Sequence, residues 1–181
     1  MSDVSNSKSL KEELFTKKKN ACLILSDDEL KKADDFCEGY KRFLDSAKTE
    51  REAVSEAVKL AKENGFVEFD FSKELKPGDK VYTVNRGKAV ILAVIGTEDI
   101  NNGVKISAAH IDSPRVDLKQ NPIYEDGELA LFKTHYYGGI KKYQWTTIPL
   151  SLHGVVFLSD GKKVEINIGE NEDDPIFCIT D

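Results

Sequence analysis

Apolar positions recur at three- and four-residue steps through the first third of the chain, then give way to short, dense apolar runs. Leu30, Ala33, Cys37, Tyr40 and Leu44 form one stripe and predict a helix from about Asp27 to Ala47. Ser26 followed by Glu29 has the spacing of a capping box and marks where that helix starts. Thr49 with Glu52 repeats the signal, and a second helix carries Ala53, Val54, Ala57, Val58 and Ala61. Gly65 follows where a left-handed C-cap is wanted. Residues before about 20 are polar and charged and read as a mobile arm or a helix that needs a partner.

Beyond Gly65 the period shortens. Phe66, Val67, Phe69 and Phe71 look strand-like, and Pro77-Gly78-Asp79 marks a turn. KVYTVN (80–85), a turn at Arg86-Gly87 and KAVILAVIG (88–96) read as a hairpin. Its second arm is apolar on both faces and predicts a buried central strand. A polar loop (96–103) leads to VKISAAHI (104–111), another expected strand, with Pro114 closing it into a loop. Past about Asp117 the texture becomes all-β: Glu125-Asp126-Gly127 is a turn signal, and 150–158 with 163–169 form a hairpin around Ser159-Asp160-Gly161. The pattern predicts an α/β part over 1–118 and a β-rich part over 119–181.

Composition narrows the function. Net charge is −6, from 26 basic and 32 acidic side chains, which disfavours nucleic acid and anionic membrane as partners. Lys17-Lys18-Lys19, the one basic cluster, reads as a solvated face rather than a phosphate site. No apolar run reaches the ~20 residues that span a bilayer, and no basic-then-apolar leader is visible, so a cytoplasmic location is the expectation. Cys22, Cys37 and Cys178 are odd in number and lack C-x-x-C spacing, and read as reduced, partly buried thiols.

Candidate chemistry centres on His110, with Asp112 two residues on. In an extended chain such positions share a face. The carboxylate then engages one imidazole nitrogen while the other faces a metal, which fixes the tautomer and raises ligand basicity. On these two residues alone, an ordinary hydrogen-bonded histidine is the commoner outcome. His153 reads as a plain strand residue, and His135 falls in a loop beside Tyr136, Tyr137 and the Gly138-Gly139 pair. The acidic run 169–174 reads as a solvated loop. A phosphate-binding glycine loop, a G-x-S-x-G elbow and a paired Cys–His are all missing.

The string AAHIDSPRVDLK (108–119), preceded by GDKVYTVNRGKAVILAVIG (78–96), resembles the start of the aspartyl aminopeptidase family. THYYGGIKKYQW (134–145) and PLSLHGVV (149–156) are similar to its bacterial branch. The resemblance implies a zinc-peptidase-like α/β catalytic domain, incomplete here, followed by the start of a β-rich dimerisation domain. It implies a homo-oligomer built from dimers, peptide substrates with acidic N-terminal residues, and a metal-activated water at a pair of zinc ions. His110 becomes a terminal zinc ligand and Asp112 the residue that orients it. The remaining ligands and the general base have no matching positions, which leaves a second reading: a truncated, inactive chain that keeps only an assembly role. The family also places a histidine just after the glycine-rich segment, reaching into the partner subunit's site. Here Lys141, Lys142, Tyr143 and Gln144 stand after Gly138-Gly139-Ile140, so Lys142 or Tyr143 is the candidate donor in trans.

Overall fold

The computed structural model describes residue 10 and residues 12–179. The chain divides into two compact units, Met1–Arg42 and Phe43–Asp181. Much of the expected N-terminal arm lies outside the described residues.

In the first unit, a short 3-10 turn at Ala21–Leu23 is capped by Asn20, whose side chain accepts from the Cys22 backbone N–H at 2.9 Å. Helix α1 (Asp27–Ser46) begins where the sequence says it should. The Ser26 N–H donates to Glu29 Oε2 at 2.9 Å and the Glu29 N–H donates to Ser26 Oγ at 3.4 Å, which together satisfy donors that a helix start leaves open. No residue of α1 is buried, and Phe36 is 76% exposed. The cysteines correct the expectation of partial burial: Cys22, Cys37 and Cys178 are all exposed and free. Cys37 lies on the apolar stripe of a helix with no buried face, so the stripe alone does not cover it.

The second unit, which takes in the end of α1 from Phe43, carries α2 (Glu50–Glu63), held by a complete capping box of Thr49 and Glu52 and ended at Asn64, before Gly65 at φ +82°. Strands β1 (Val67–Glu68), β2 (Lys80–Asn85) and β3 (Ala89–Val94) form one sheet in that order, with β1 parallel to β2 and β2 antiparallel to β3. Ala53, Val54 and Ala61 of α2 are buried, as are Val81 and Tyr82 of β2, and α2 packs against both β2 and β3. The predicted 80–96 hairpin is present, but β2 is the central strand and β3 the edge. Ile91 and Val94 of β3 are 66% and 61% exposed, and no strand among the described residues pairs with its outer side. Of the phenylalanine-rich run, only Val67 and Glu68 pair as a strand.

The expected strand at 104–111 is not formed. A strand exists through the ladder of a neighbour, and no backbone–backbone hydrogen bond joins residues 104–114 among the described residues. The segment is unpaired. Two hairpins follow: β4 (Arg115–Asp126) with β5 (Leu129–Tyr137), and β6 (Leu152–Phe157) with β7 (Lys163–Ile168). The first turns at Gly127-Glu128, both at positive φ as a type I′ turn demands, one residue later than the sequence signal. Strand β4 runs through position 119, with its register shifting between Leu118 and Ile123. A single helical turn, α3 (Lys142–Trp145), separates the hairpins. The result is α/β in its first half and β-rich in its second.

Candidate metal centre

His110 stands in the unpaired segment just before β4, rather than at a strand end. Its side chain is 83% exposed. The Nδ1 atom lies 2.9 Å from the Asp112 carbonyl oxygen and 3.2 Å from Asp112 Oδ1. Both partners are acceptors, so this geometry suits a proton on Nδ1 and a bare lone pair on Nε2. Nε2 has no partner among the described residues and faces open space. The pair predicted from the sequence therefore meets, within a segment that belongs to no strand.

Asp112 has a second partner that the sequence does not reveal. The Tyr137 hydroxyl donates to Asp112 Oδ2 at 2.8 Å. That bond, ahead of the His110 contact, holds the Asp112 carboxyl below its ordinary pKa and pushes the Tyr137 phenol up. Tyr137 lies directly opposite Arg115 in the β4–β5 ladder, and the Arg115 guanidinium sits 4.2 Å from the centre of its ring. Arg115 in turn donates from Nη1 to Glu50 Oε1 at 2.9 Å and from Nε to Asp117 Oδ1 at 2.7 Å.

A second cluster surrounds His153, which sequence reasoning passed over. Its side chain is only 9% exposed on β6, with Nδ1 2.8 Å from Glu52 Oε1 and Nε2 2.9 Å from Glu170 Oε1. Burial alone would lower its pKa, but hydrogen bonds to Glu52 and Glu170 outweigh it and the net shift is upward. Glu170 is shifted down, first by the Ser151 hydroxyl and then by His153. The two carboxylates sit on opposite nitrogens of the ring, an arrangement that clamps an imidazolium and leaves no lone pair for a metal. The available signal was a histidine in an alternating strand with a carboxylate at the third position of a capped helix, but the two are 101 residues apart.

His135 also departs from expectation: it lies on β5, not in a loop, paired across from Asp117. It is exposed, as is Tyr143, whereas Lys142 holds its ammonium 4.2 Å from the centre of the Tyr136 ring. A cleft of about 770 Å³ is lined by Lys48, Arg115, Asp117, His153 and Glu170 among others, but includes neither His110 nor Asp112. Among the described residues no three His, Cys, Asp or Glu form a group that could hold a metal ion. His110 nonetheless fits a metal as a single donor: its proton is engaged on one nitrogen and its other lone pair is open.

An imidazole with a carboxylate behind one ring nitrogen is an arrangement that metal-ligating histidines commonly use. The family profile described as "Aminopeptidase I zinc metalloprotease (M18)" matches residues 43–181. A "Probable M18 family aminopeptidase 1" from Borrelia garinii subsp. bavariensis is 52% identical over 165 residues, covering 91% of this chain and 36% of the relative. The crystal structure of aminopeptidase I from Borrelia burgdorferi B31 superposes with a TM-score of 0.85 at 48% identity, over 89% of this chain and 40% of that one. The Thermotoga maritima M18 aminopeptidase gives 0.83 at 44%, over 92% and 36%. The chain belongs to the M18 aminopeptidase family, and spans between a third and two fifths of the length of these relatives.

Proposed function

We propose that this chain is the metal-ligand-bearing N-terminal part of a zinc aminopeptidase that removes N-terminal residues from peptides. The observation that carries this is the His110–Asp112 contact, which engages Nδ1 and leaves Nε2 open. His110 holds one zinc through Nε2, while Asp112 keeps the proton on Nδ1 and sets the ring's direction. Bound zinc supplies Lewis-acid chemistry and brings the pKa of water it holds from ~15.7 towards ~7. A catalytic zinc takes about three protein ligands, and no three His, Cys, Asp or Glu among the described residues form a group that could hold a metal ion, so on this reading the chain alone hydrolyses no peptide. Two zinc ions, cytoplasmic location and assembly from dimers belong to the same reading, with the catalytic domain over 1–118 and the dimerisation domain from 119. Of the two donors considered in trans, Tyr143 is the better placed, because Lys142 is already engaged by Tyr136.

The test is His110→Ala in the longest natural chain carrying this sequence, with zinc content measured by mass spectrometry beside peptide hydrolysis. One zinc equivalent and nearly all turnover should be lost. Unchanged zinc and turnover would show that the ligand lies elsewhere.

A further inference from the structure

We propose that Tyr137 is a positioning residue for the His110–Asp112 pair. It fixes the Asp112 carboxylate so that the imidazole keeps its Nε2 lone pair open. The inference rests on the reading of His110 as a zinc ligand and adds to it a residue from the β-rich half.

Residues 104–114 make no backbone–backbone hydrogen bond among the described residues, so nothing in a ladder sets where His110 points. Their one side-chain hydrogen bond to the rest of the described chain is that of the Tyr137 hydroxyl to Asp112 Oδ2 at 2.8 Å. With Oδ2 taken, Oδ1 is turned to His110 Nδ1 at 3.2 Å and the Asp112 carbonyl to the same nitrogen at 2.9 Å. Tyr137 is suited to the task because it is itself held. It ends β5, opposite Arg115, and carries the Arg115 guanidinium on its ring at 4.2 Å. Arg115 is pinned by Glu50 at the start of α2 and by Asp117 on β4. A rigid donor thus orders an otherwise untethered carboxylate, in the way that partners behind a ligating histidine fix its tautomer. Without the hydroxyl, the Asp112 carboxylate is free to turn away, which leaves Nδ1 the Asp112 carbonyl alone and weakens the preference for a proton there.

The experiment is long-range 1H–15N NMR on the 181-residue chain with 15N-labelled histidine, at a pH where imidazole is neutral. The His110 signals are assigned by their loss in His110→Ala. Wild type should show mainly the Nδ1–H tautomer, and Tyr137→Phe, which keeps the ring on Arg115, should lower the Nδ1–H to Nε2–H ratio about 3-fold or more. Tyr136→Phe, next along the strand, should leave the ratio unchanged. Tyr137→4-aminophenylalanine restores a donor at the same place and should return the wild-type ratio. In an Asp112→Asn background, Tyr137→Phe should add nothing further. A wild-type ratio in Tyr137→Phe, failure of the rescue, or an equal shift in the Asp112→Asn background would each overturn the proposal. Zinc added to wild type tests the ligand reading separately. If it leaves the His110 Nε2 signal unmoved while the Tyr137→Phe shift is present, the positioning stands and the zinc assignment falls.

Discussion

Replacing His153 with glutamine should destabilise the protein in acid far more than in base. The imidazolium donates to Glu52 and Glu170 from opposite nitrogens at 2.8 and 2.9 Å. A neutral glutamine amide can donate to one of them and leaves the other without its imidazolium donor, Glu170 keeping the Ser151 hydroxyl at 2.7 Å. Each charge-assisted hydrogen bond contributes roughly 1.5–3 kcal/mol when shielded. The carboxylate side chains are 30% and 37% exposed, so water recovers part of that, and a combined loss of about 2 kcal/mol near pH 6 is the working figure. In a chain of this size that corresponds to roughly 4–8 °C in melting midpoint. The sign follows from the direction of the shift. The folded pKa of His153 is raised, so its contribution is full below the unfolded value of about 6.5 and is lost as pH rises through the higher folded value. Glu170 runs the other way: its lowered pKa means its share is present above about 4.5 and fades only as pH falls through the folded value. Lys48 adds positive charge on the Glu170 side and lowers that carboxyl further. Melting curves of wild type and His153→Gln from pH 5.5 to 9 should therefore start well apart and converge. A gap that is constant with pH, or that widens towards pH 9, would refute the clamp.

Two further outcomes follow from the backbone and the sheet edge. Gly169→Ala should cost about 2 kcal/mol in urea denaturation, because a Cβ there would stand 3.0 Å from Ser151 Cα and Cβ at a φ of +105°; an unchanged midpoint would show that the two strands part without strain. The outer edge of β3, with Ile91 and Val94 exposed, should make the 181-residue chain self-associate, and Ile91→Lys should weaken that association. A single-chain mass for wild type across a wide concentration range in sedimentation would count against this.

The features legible in the sequence are those whose cause is local. The starts of the two long helices are written in capping boxes four residues long, and two of the three hairpins, 80–94 and 152–168, are written in apolar runs around a turn. What failed were statements about neighbours. An apolar run at 88–96 says that the strand has something to bury, not that a partner lies within the described chain. The 104–111 run says that the backbone is extended, not that it is paired. The same division holds at the site. His110 and Asp112 are two residues apart, and their contact could be anticipated. Tyr137 reaches Asp112 from 25 residues away, and His153 reaches Glu52 from 101, distances over which spacing carries no signal.

Glu52 does two things with one carboxylate. Oε2 closes the capping box, accepting from the Thr49 N–H at 2.8 Å and its hydroxyl at 3.0 Å, while Oε1 meets His153. The cap needs only residues 49–52, so the helix start by itself restricts the rotation of the glutamate that β6 also uses. A long side chain that must be ordered for an ion pair gives up as much as ~2 kcal/mol of entropy; here that loss belongs to the helix. The long-range contact thus docks onto a group already aimed, and a shorter Glu52→Asp side chain would be forced to choose between starting the helix and holding the strand.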